Sequence, residues 1–141
     1  MIDKIVDGIS MKLKNVFGAG YKIYPEAVEQ GLKEPCFFIQ LLEPNSTKML
    51  GDQHRREYPF CVQHLPEDKG NSNSECYKTL DELYIALEYI SIDGNLVRGV
   101  GMRGSVNDGI LSFFVNYNVS LRKVSEYEPM EVLQQQPTKI R

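Results

Sequence analysis

The chain has no tryptophan, only two histidines and no surplus of positive charge. Its 141 residues include 16 lysines and arginines against 19 aspartates and glutamates, which gives a formal net charge of −3. Capture of nucleic acid or of an anionic membrane by charge needs a basic face. The composition therefore argues against both partners.

Long apolar runs are also missing. The first residues read MIDKIVDGISMKLKNVF, in which charged and apolar positions alternate throughout. A secretory signal or a membrane span needs an uninterrupted apolar segment, and no later stretch supplies one. We expect neither feature, and we expect the chain to be made in a cytoplasm.

Cysteine is scarce and widely spaced. Cys36, Cys61 and Cys76 form an odd set with long gaps, which argues against a disulfide framework and predicts buried reduced thiols. Cys61 and His64 form a single C-x-x-H, but structural zinc needs four ligands in close pairs. Since only His54 and Cys36 remain to be recruited, we predict that the chain binds no metal.

The first half of the chain shows one helix and two strong strands. Apolar residues recur at helical spacing over about residues 2–17, and a short strand is predicted at 21–24. Residues 36–44 are apolar on both faces, as expected of a central strand, and residues 58–66 alternate as its antiparallel partner would. The polar segment 45–57 between them is predicted to be either a protruding loop or an extended hairpin arm.

The second half predicts a helix over about 74–90 and then a closing hairpin. Residues 110–123 alternate with Phe114 as an apolar exception, a turn signal precedes them at 107–109, and 95–106 must supply the partner strand. We expect one domain over residues 1–124 and a C-terminal tail, 125–141, outside its core. The predicted class is α+β: a mostly antiparallel sheet with two helices packed on one side, a long C-terminal β-hairpin and an extended β-arm.

The segment GVGMRG, residues 99–104, has the glycine spacing of a dinucleotide-binding loop. Such a loop needs a helix directly after it, whose free N–H groups hold the pyrophosphate. Here a turn and an alternating strand follow instead. Glycines within a strand are typical of bulges, sharp twist or close backbone approach, so we interpret them as structural and predict no cofactor.

Candidate catalytic groups are few. No G-x-S-x-G occurs, and only His54 and His64 could serve as histidine bases. Cys61 and His64 lie three apart on a predicted strand, so their side chains point to opposite faces and do not meet. These observations predict a protein that is not an enzyme. A small α+β enzyme or ligand-binding domain remains the alternative, and a polar pocket holding a perturbed acid or base would favour it.

A charged cluster lies in the predicted arm. Mixed signs suit an interface between identical subunits, where patches must match without net repulsion. The alternative is a solvated charged surface. The predicted interface residues are Lys48, Asp52, His54, Arg55, Arg56 and Glu57, together with Arg103 in the closing hairpin.

Three stretches carry a family resemblance: MIDKIVDGISMKL, EQGLKEPCFFIQLL and FFVNYNVSLRKV. With the order of elements, they make residues 1–124 similar to the tail-terminator family. Its members are small proteins of tailed phages and of phage-tail-like particles in Gram-positive bacteria, such as PBSX-like defective prophages and bacteriocins. The resemblance supplies no residue-level site, so the interface residues rest on the charge pattern alone.

The resemblance implies an α+β subunit that assembles into a ring, commonly six-fold, on the last ring of the tail tube. There it would stop tube polymerisation and offer a joining surface to the head-side connector, with a sheath as a further possible neighbour. It implies no enzymatic activity and no cofactor, and it places the chain in a virion or phage-tail-like particle. The alternative within this class is another head–tail joining protein or a tail tube subunit.

Overall fold

A computed structural model describes residues 1–25, 33–67 and 72–122. Two helices and seven strands follow one another in these ranges. Their bounds are α1 Ile2–Phe17, β1 Lys22–Tyr24, β2 Cys36–Leu41, β3 Asn45–Lys48, β4 Gln53–Leu65, α2 Ser72–Ala86, β5 Tyr89–Ile92, β6 Asn95–Asn107 and β7 Ile110–Arg122.

Helix α1 has the bounds that its sequence pattern predicts. Ile5, Ile9 and Leu13 recur at four-residue spacing and are fully buried, and Gly8 is buried beside them, while the remaining positions face water or the edge of the core. Asp3 in the first turn and Lys14 in the last turn have the signs that the helix dipole favours. The amphipathic pattern is therefore sufficient to place this helix.

The strands form one sheet in the order β1-β2-β4-β7-β6-β5, and β3 pairs with β4 beside β2. Strand β1 runs parallel to β2, and every other described pairing is antiparallel. The predicted mostly antiparallel sheet is thus confirmed.

Both helices pack on one face of this sheet. Phe17 of α1 stacks on Phe37 with ring centroids 4.8 Å apart, and Tyr84 of α2 meets Phe113 edge-on at 5.6 Å. The fully buried large side chains fill the layer between helices and sheet: Tyr117, Phe37, Phe60, Phe113, Ile5, Ile9, Leu13, Ile39, Leu83, Leu87, Ile90 and Leu111. The predicted α+β class is confirmed.

Strand β4 is longer than the sequence pattern indicates. It begins at Gln53, not at residue 58, and pairs along its length with β7. Its second half also pairs with β2, whereas its first half pairs with β3. Residues 45–57 therefore form an extended hairpin arm rather than a loop. The pattern missed this part because it has few buried residues and so no apolar alternation.

The second helix ends earlier than predicted. It stops at Ala86, and residues 89–92 form β5, which pairs with the start of β6 through a tight turn at Asp93 and Gly94 with φ values of 52° and 82°. Ile90 is buried and continues the helical spacing of Leu83 and Leu87, so the sequence reads as one long helix.

The predicted closing hairpin is present as β6 and β7. The turn between them has φ values of 52° at Asp108 and 74° at Gly109, as in the two-residue turns that suit twisted hairpins. The predicted tail 125–141 lies outside the described residues. The predicted domain boundary at residue 124 stays a prediction for the same reason.

The three glycines of GVGMRG serve the sheet. Gly101, at φ 63°, lies in a β-bulge between Val100 and Arg103. At Gly99 a Cβ would lie 2.8 Å from the backbone oxygen of Leu87, and at Gly104 it would collide with the side chain of Leu80 on α2. The interpretation of these glycines as bulge and close-approach residues agrees with this geometry.

Candidate functional site

The β-arm, residues 45–57, is the most exposed part of the described sheet. All four residues of β3 are exposed, and so are most of those in the first half of β4. The turn at its tip is closed by the N–H of Met49, which donates to the carbonyl oxygen of Gln53 at 2.7 Å. The arm therefore presents backbone and side chains that the core of its own subunit does not use.

The structure brings six of the seven predicted interface residues together on this arm. Lys48 faces His54 across the β3–β4 pair, and Arg55 lies 3.7 Å from Glu57 in a partly exposed ion pair. Exposed pairs of this kind contribute little to stability, with typical values of about 0.2–1 kcal/mol. These charges are thus available for contacts outside the subunit.

Arg103 is not part of this cluster. It lies on β6 opposite Phe114, whereas the arm pairs with β7 from residue 118 onward. Its guanidinium carbon is 4.1 Å from the centre of the Phe114 ring, a cation–π contact on the sheet face turned away from the helices. Arg103 therefore belongs to a second surface, the open sheet face.

The open sheet face carries two polar atoms that sequence reasoning missed. The side-chain oxygens of Asn116 and Asn118 are buried, and neither has a hydrogen-bond partner among the described residues. Leaving a buried acceptor unsatisfied costs about 1–3 kcal/mol. The alternation of β7 assigns both residues to its polar face, but that pattern does not show that their oxygens are shielded from water.

The tip of the arm is apolar. Leu50 is 90% exposed and Met49 is 46% exposed, although the segment around them is polar. Single exposed apolar residues are common, but two at the end of a projecting hairpin extend the arm's contact surface beyond its charges. A Met-Leu pair inside a polar stretch was the available sequence signal.

Two adjoining shallow clefts lie where the arm meets the start of α1. One has a volume of about 470 Å³ and is lined by Met1, Ile2, Asp3, Arg56 and Tyr58. The other, of about 360 Å³, shares Ile2, Arg56 and Tyr58. No histidine or cysteine lines either cleft, and Ser46 in the second cleft has no histidine or carboxylate among the residues that line it. The described residues therefore place no nucleophile and general base together there.

The Cys61–His64 pair does not form a site. The two side chains lie on opposite faces of β4, as their spacing predicts, with His64 in an aromatic group beside Phe37 and Tyr21. Cys36, Cys61 and Cys76 are buried thiols. Within residues 1–25, 33–67 and 72–122, no group of three or more His, Cys, Asp or Glu side chains is placed to hold a metal ion.

His64 makes folding depend on pH. Burial lowers its pKa from 6.5 to about 4, and its Nδ1 has no hydrogen-bond partner among the described residues. The ring of His64 therefore takes up a proton more readily in the unfolded chain than in the folded one. Its burial does not reduce the free energy of unfolding well above pH 6.5, and reduces it progressively as the pH falls from 6.5 towards 4. We expect a loss of about 2 kcal/mol between pH 7 and pH 5 from this group.

The measurement is urea unfolding at several pH values. The variant His64→Leu should be less sensitive to pH over the same interval, because it lacks the titrating ring. A wild-type unfolding free energy that stays constant from pH 7 to pH 5 would contradict the assignment.

Comparison with known protein families identifies the class of protein to which the chain belongs. The family model described as phage tail terminator protein matches residues 4–129. The chain belongs to the phage tail terminator family. The match runs from within α1 to beyond β7, so it includes the arm, the open sheet face and the closing hairpin. No curated protein matches the chain.

Membership makes the chain a structural protein of phage tails. The resemblance seen in the sequence is thereby confirmed at the level of the family. Membership in this family implies association with other tail proteins. Neither helix described by the structure is long and apolar enough to span a membrane.

Proposed function

We propose that this chain caps the phage tail tube: a ring of identical subunits, commonly six in the family it resembles, sits on the last tube ring and stops further polymerisation. The exposed side of the ring is the surface that joins the tail to its head-side connector. The observation that carries this proposal is the family match over residues 4–129. In this role the chain has no catalytic activity, uses no cofactor and is built into a virion or phage-tail-like particle.

Two different surfaces of the subunit suit a closed ring. In a ring, each subunit contacts its neighbours through two unlike patches. The arm, with Lys48, Asp52, His54, Arg55, Arg56 and Glu57, is the projecting patch. We propose that the closing hairpin, which carries Arg103 on its strand β6, receives it.

Tube growth in solution tests the capping role. Purified tail tube protein is allowed to polymerise with and without this chain, and tube lengths are measured by electron microscopy. We expect shorter tubes as the chain is added, with the chain found at one end of each tube. Unchanged tube lengths with no end binding would contradict capping.

Reversing the charge of Arg103 tests the second patch. The variant Arg103→Glu replaces the cation above the Phe114 side chain by an anion. We expect the loss of a charged interface contact to raise the dissociation constant of the subunit ring by about tenfold or more. The control Arg103→Lys keeps the charge and the cation–π contact. Native mass spectrometry over a dilution series measures both, and equal ring stability in the two variants would remove Arg103 from the interface.

A further inference from the structure

The β-arm has two open sheet edges. The arm consists of β3 and the first half of β4, and the end of β7, residues 118–122, lies beside β4 and completes a three-stranded sheet. On one side β3 is the last strand. On the other side β6 pairs with β7 only as far as Gly99 opposite Tyr117, and the start of β6 pairs with β5 instead. Among the described residues, no strand covers 118–122 on that side.

The outward groups of β3 follow from its pairing with β4. The N–H of Met49 donates to the carbonyl of Gln53, so this pair is hydrogen-bonded, and pairs alternate along an antiparallel ladder. Residues 45 and 47 therefore direct their backbone groups to β4. Ser46 and Lys48 direct theirs away from it, to the free edge.

The outward groups of β7 follow from Gly99. Its N–H donates to the carbonyl of Glu88 at 2.6 Å, so it points away from β7, and the Gly99–Tyr117 pair is not hydrogen-bonded. Tyr117 then directs its backbone groups to β4, and by alternation Asn118 and Ser120 direct theirs to the uncovered edge. Each edge of the arm thus offers both donors and acceptors.

Symmetry selects how these edges fit together. Since β3 and β7 both run antiparallel to β4, they run parallel to each other in one subunit. In a ring of about six subunits, each copy is related to the next by a rotation of about 60° about the ring axis. Strand β3 of one copy and β7 of the next therefore run in nearly the same direction. A second copy of this chain therefore fits the edge, and the pairing is parallel.

We propose that β3 of one subunit adds in parallel to the free edge of β7 of the next, so that the arms form a continuous sheet around the ring. This inference rests on the ring proposed above and specifies its contact. Within one subunit Thr47, Arg55 and Ser120 lie side by side across the three strands. If this row continues into the next subunit, Thr47 of one copy lies opposite Ser120 of its neighbour. Ser46 then lies opposite Val119, and Lys48 lies opposite Leu121. About four backbone hydrogen bonds then form at each contact.

An engineered disulfide tests this register. Within one subunit Thr47 and Ser120 are separated by β4, so their Cα atoms lie about 10 Å apart, beyond the reach of a disulfide. In the double variant Thr47→Cys/Ser120→Cys, only neighbouring subunits can be bridged. We expect mild oxidation to give a ladder of covalent oligomers on a non-reducing gel, ending at the ring size.

The controls use the same surface. Lys48→Cys/Ser120→Cys places the first thiol on the opposite face of β3, so it should give little product. The native thiols are at most 5% exposed, and the wild-type chain should give none. Dimers from Thr47→Cys alone would indicate pairing of β3 with β3 and would overturn the proposal.

A proline tests the hydrogen bonds. Ser46→Pro removes an outward N–H and leaves the β3–β4 ladder intact, so the subunit should keep its circular dichroism spectrum and melt close to the wild-type temperature while ring formation is lost. Ser46→Thr keeps the N–H and should keep the rings. Rings that persist in Ser46→Pro would overturn the edge pairing.

The outcomes separate this contact from the ring itself. Wild-type rings in native mass spectrometry without a covalent ladder from the double variant would overturn the strand pairing, with another segment or partner covering the β7 edge, and would leave the ring standing. A wild-type chain that stays monomeric, alone and on tail tubes, would overturn the ring and the pairing together.

Discussion

Replacing residues 46–56 by Asn-Gly yields a folded monomer that no longer forms rings. The change removes all of β3 except Asn45, the arm tip and the outer part of β4. Asn45 and Glu57 are cross-strand partners in a hydrogen-bonded position, which a two-residue Asn-Gly turn can connect. The core half of β4, from Tyr58 to Leu65, keeps its partners in β2 and β7.

Two measurements on the same sample check this result. Circular dichroism and thermal unfolding establish that the shortened chain folds, since its buried residues lie outside the deleted segment. Native mass spectrometry then reports the oligomer: if the wild-type chain forms the proposed rings, we expect none from the shortened chain at the same concentration. Rings formed by the shortened chain would show that the arm is not the subunit contact.

Gly99→Val destabilises the fold by about 3 kcal/mol, at the upper end of the cost of overpacking a core. A Cβ at Gly99 would lie 2.7 Å from Cγ2 of Val115 and 2.8 Å from the Leu87 carbonyl oxygen. That oxygen also accepts the hydroxyl hydrogen bond of buried Tyr117 at 2.7 Å. Any shift that admits the side chain therefore disturbs the link between the end of α2 and the sheet.

Gly104→Ala is a milder change at a second close-approach glycine of the same strand. The three heavy atoms nearest to its added methyl all belong to the side chain of Leu80, which can move, so we expect a smaller loss of about 1 kcal/mol. Urea unfolding monitored by circular dichroism compares the two variants with the wild-type chain. A Gly99→Val variant within 1 kcal/mol of wild type would contradict the close approach described here.

The parts of the fold that the sequence predicts well are those with one buried and one exposed face. Helix α1 shows this over its whole length and strand β7 as far as Tyr117, and the structure places both within a residue of the expected bounds. The charged cluster on the arm is also visible in the sequence. Its assignment to an interface stays a prediction.

Two elements could not be read from local pattern. The outer half of β4 has few buried residues, so its strand structure depends on pairing with β3 across the adjacent turn and with β7, which lies far away in sequence. Strand β5 continues the apolar spacing of α2, and only its pairing with β6 distinguishes it from a helical turn. In both cases tertiary contacts determine the element.

The open edges of the arm are the least predictable part of the site. The free edge of β7 exists because the pairing of β6 with β7 ends at Gly99, close to the bulge that contains Gly101. The spacing of GVGMRG matches a nucleotide-binding loop, whereas the strands around it show that its glycines form a bulge and close contacts within the sheet and with α2. The same holds for Asn116 and Asn118, whose shielding follows from the sheet and not from residue type.

Electron microscopy of particles assembled without this chain tests the capping role most directly. If the chain ends tube growth, particles lacking it carry tails of widely varying and excessive length, and supplying the wild-type chain restores one length. Headless tails of normal, uniform length would contradict the account and would identify a head–tail joining protein instead.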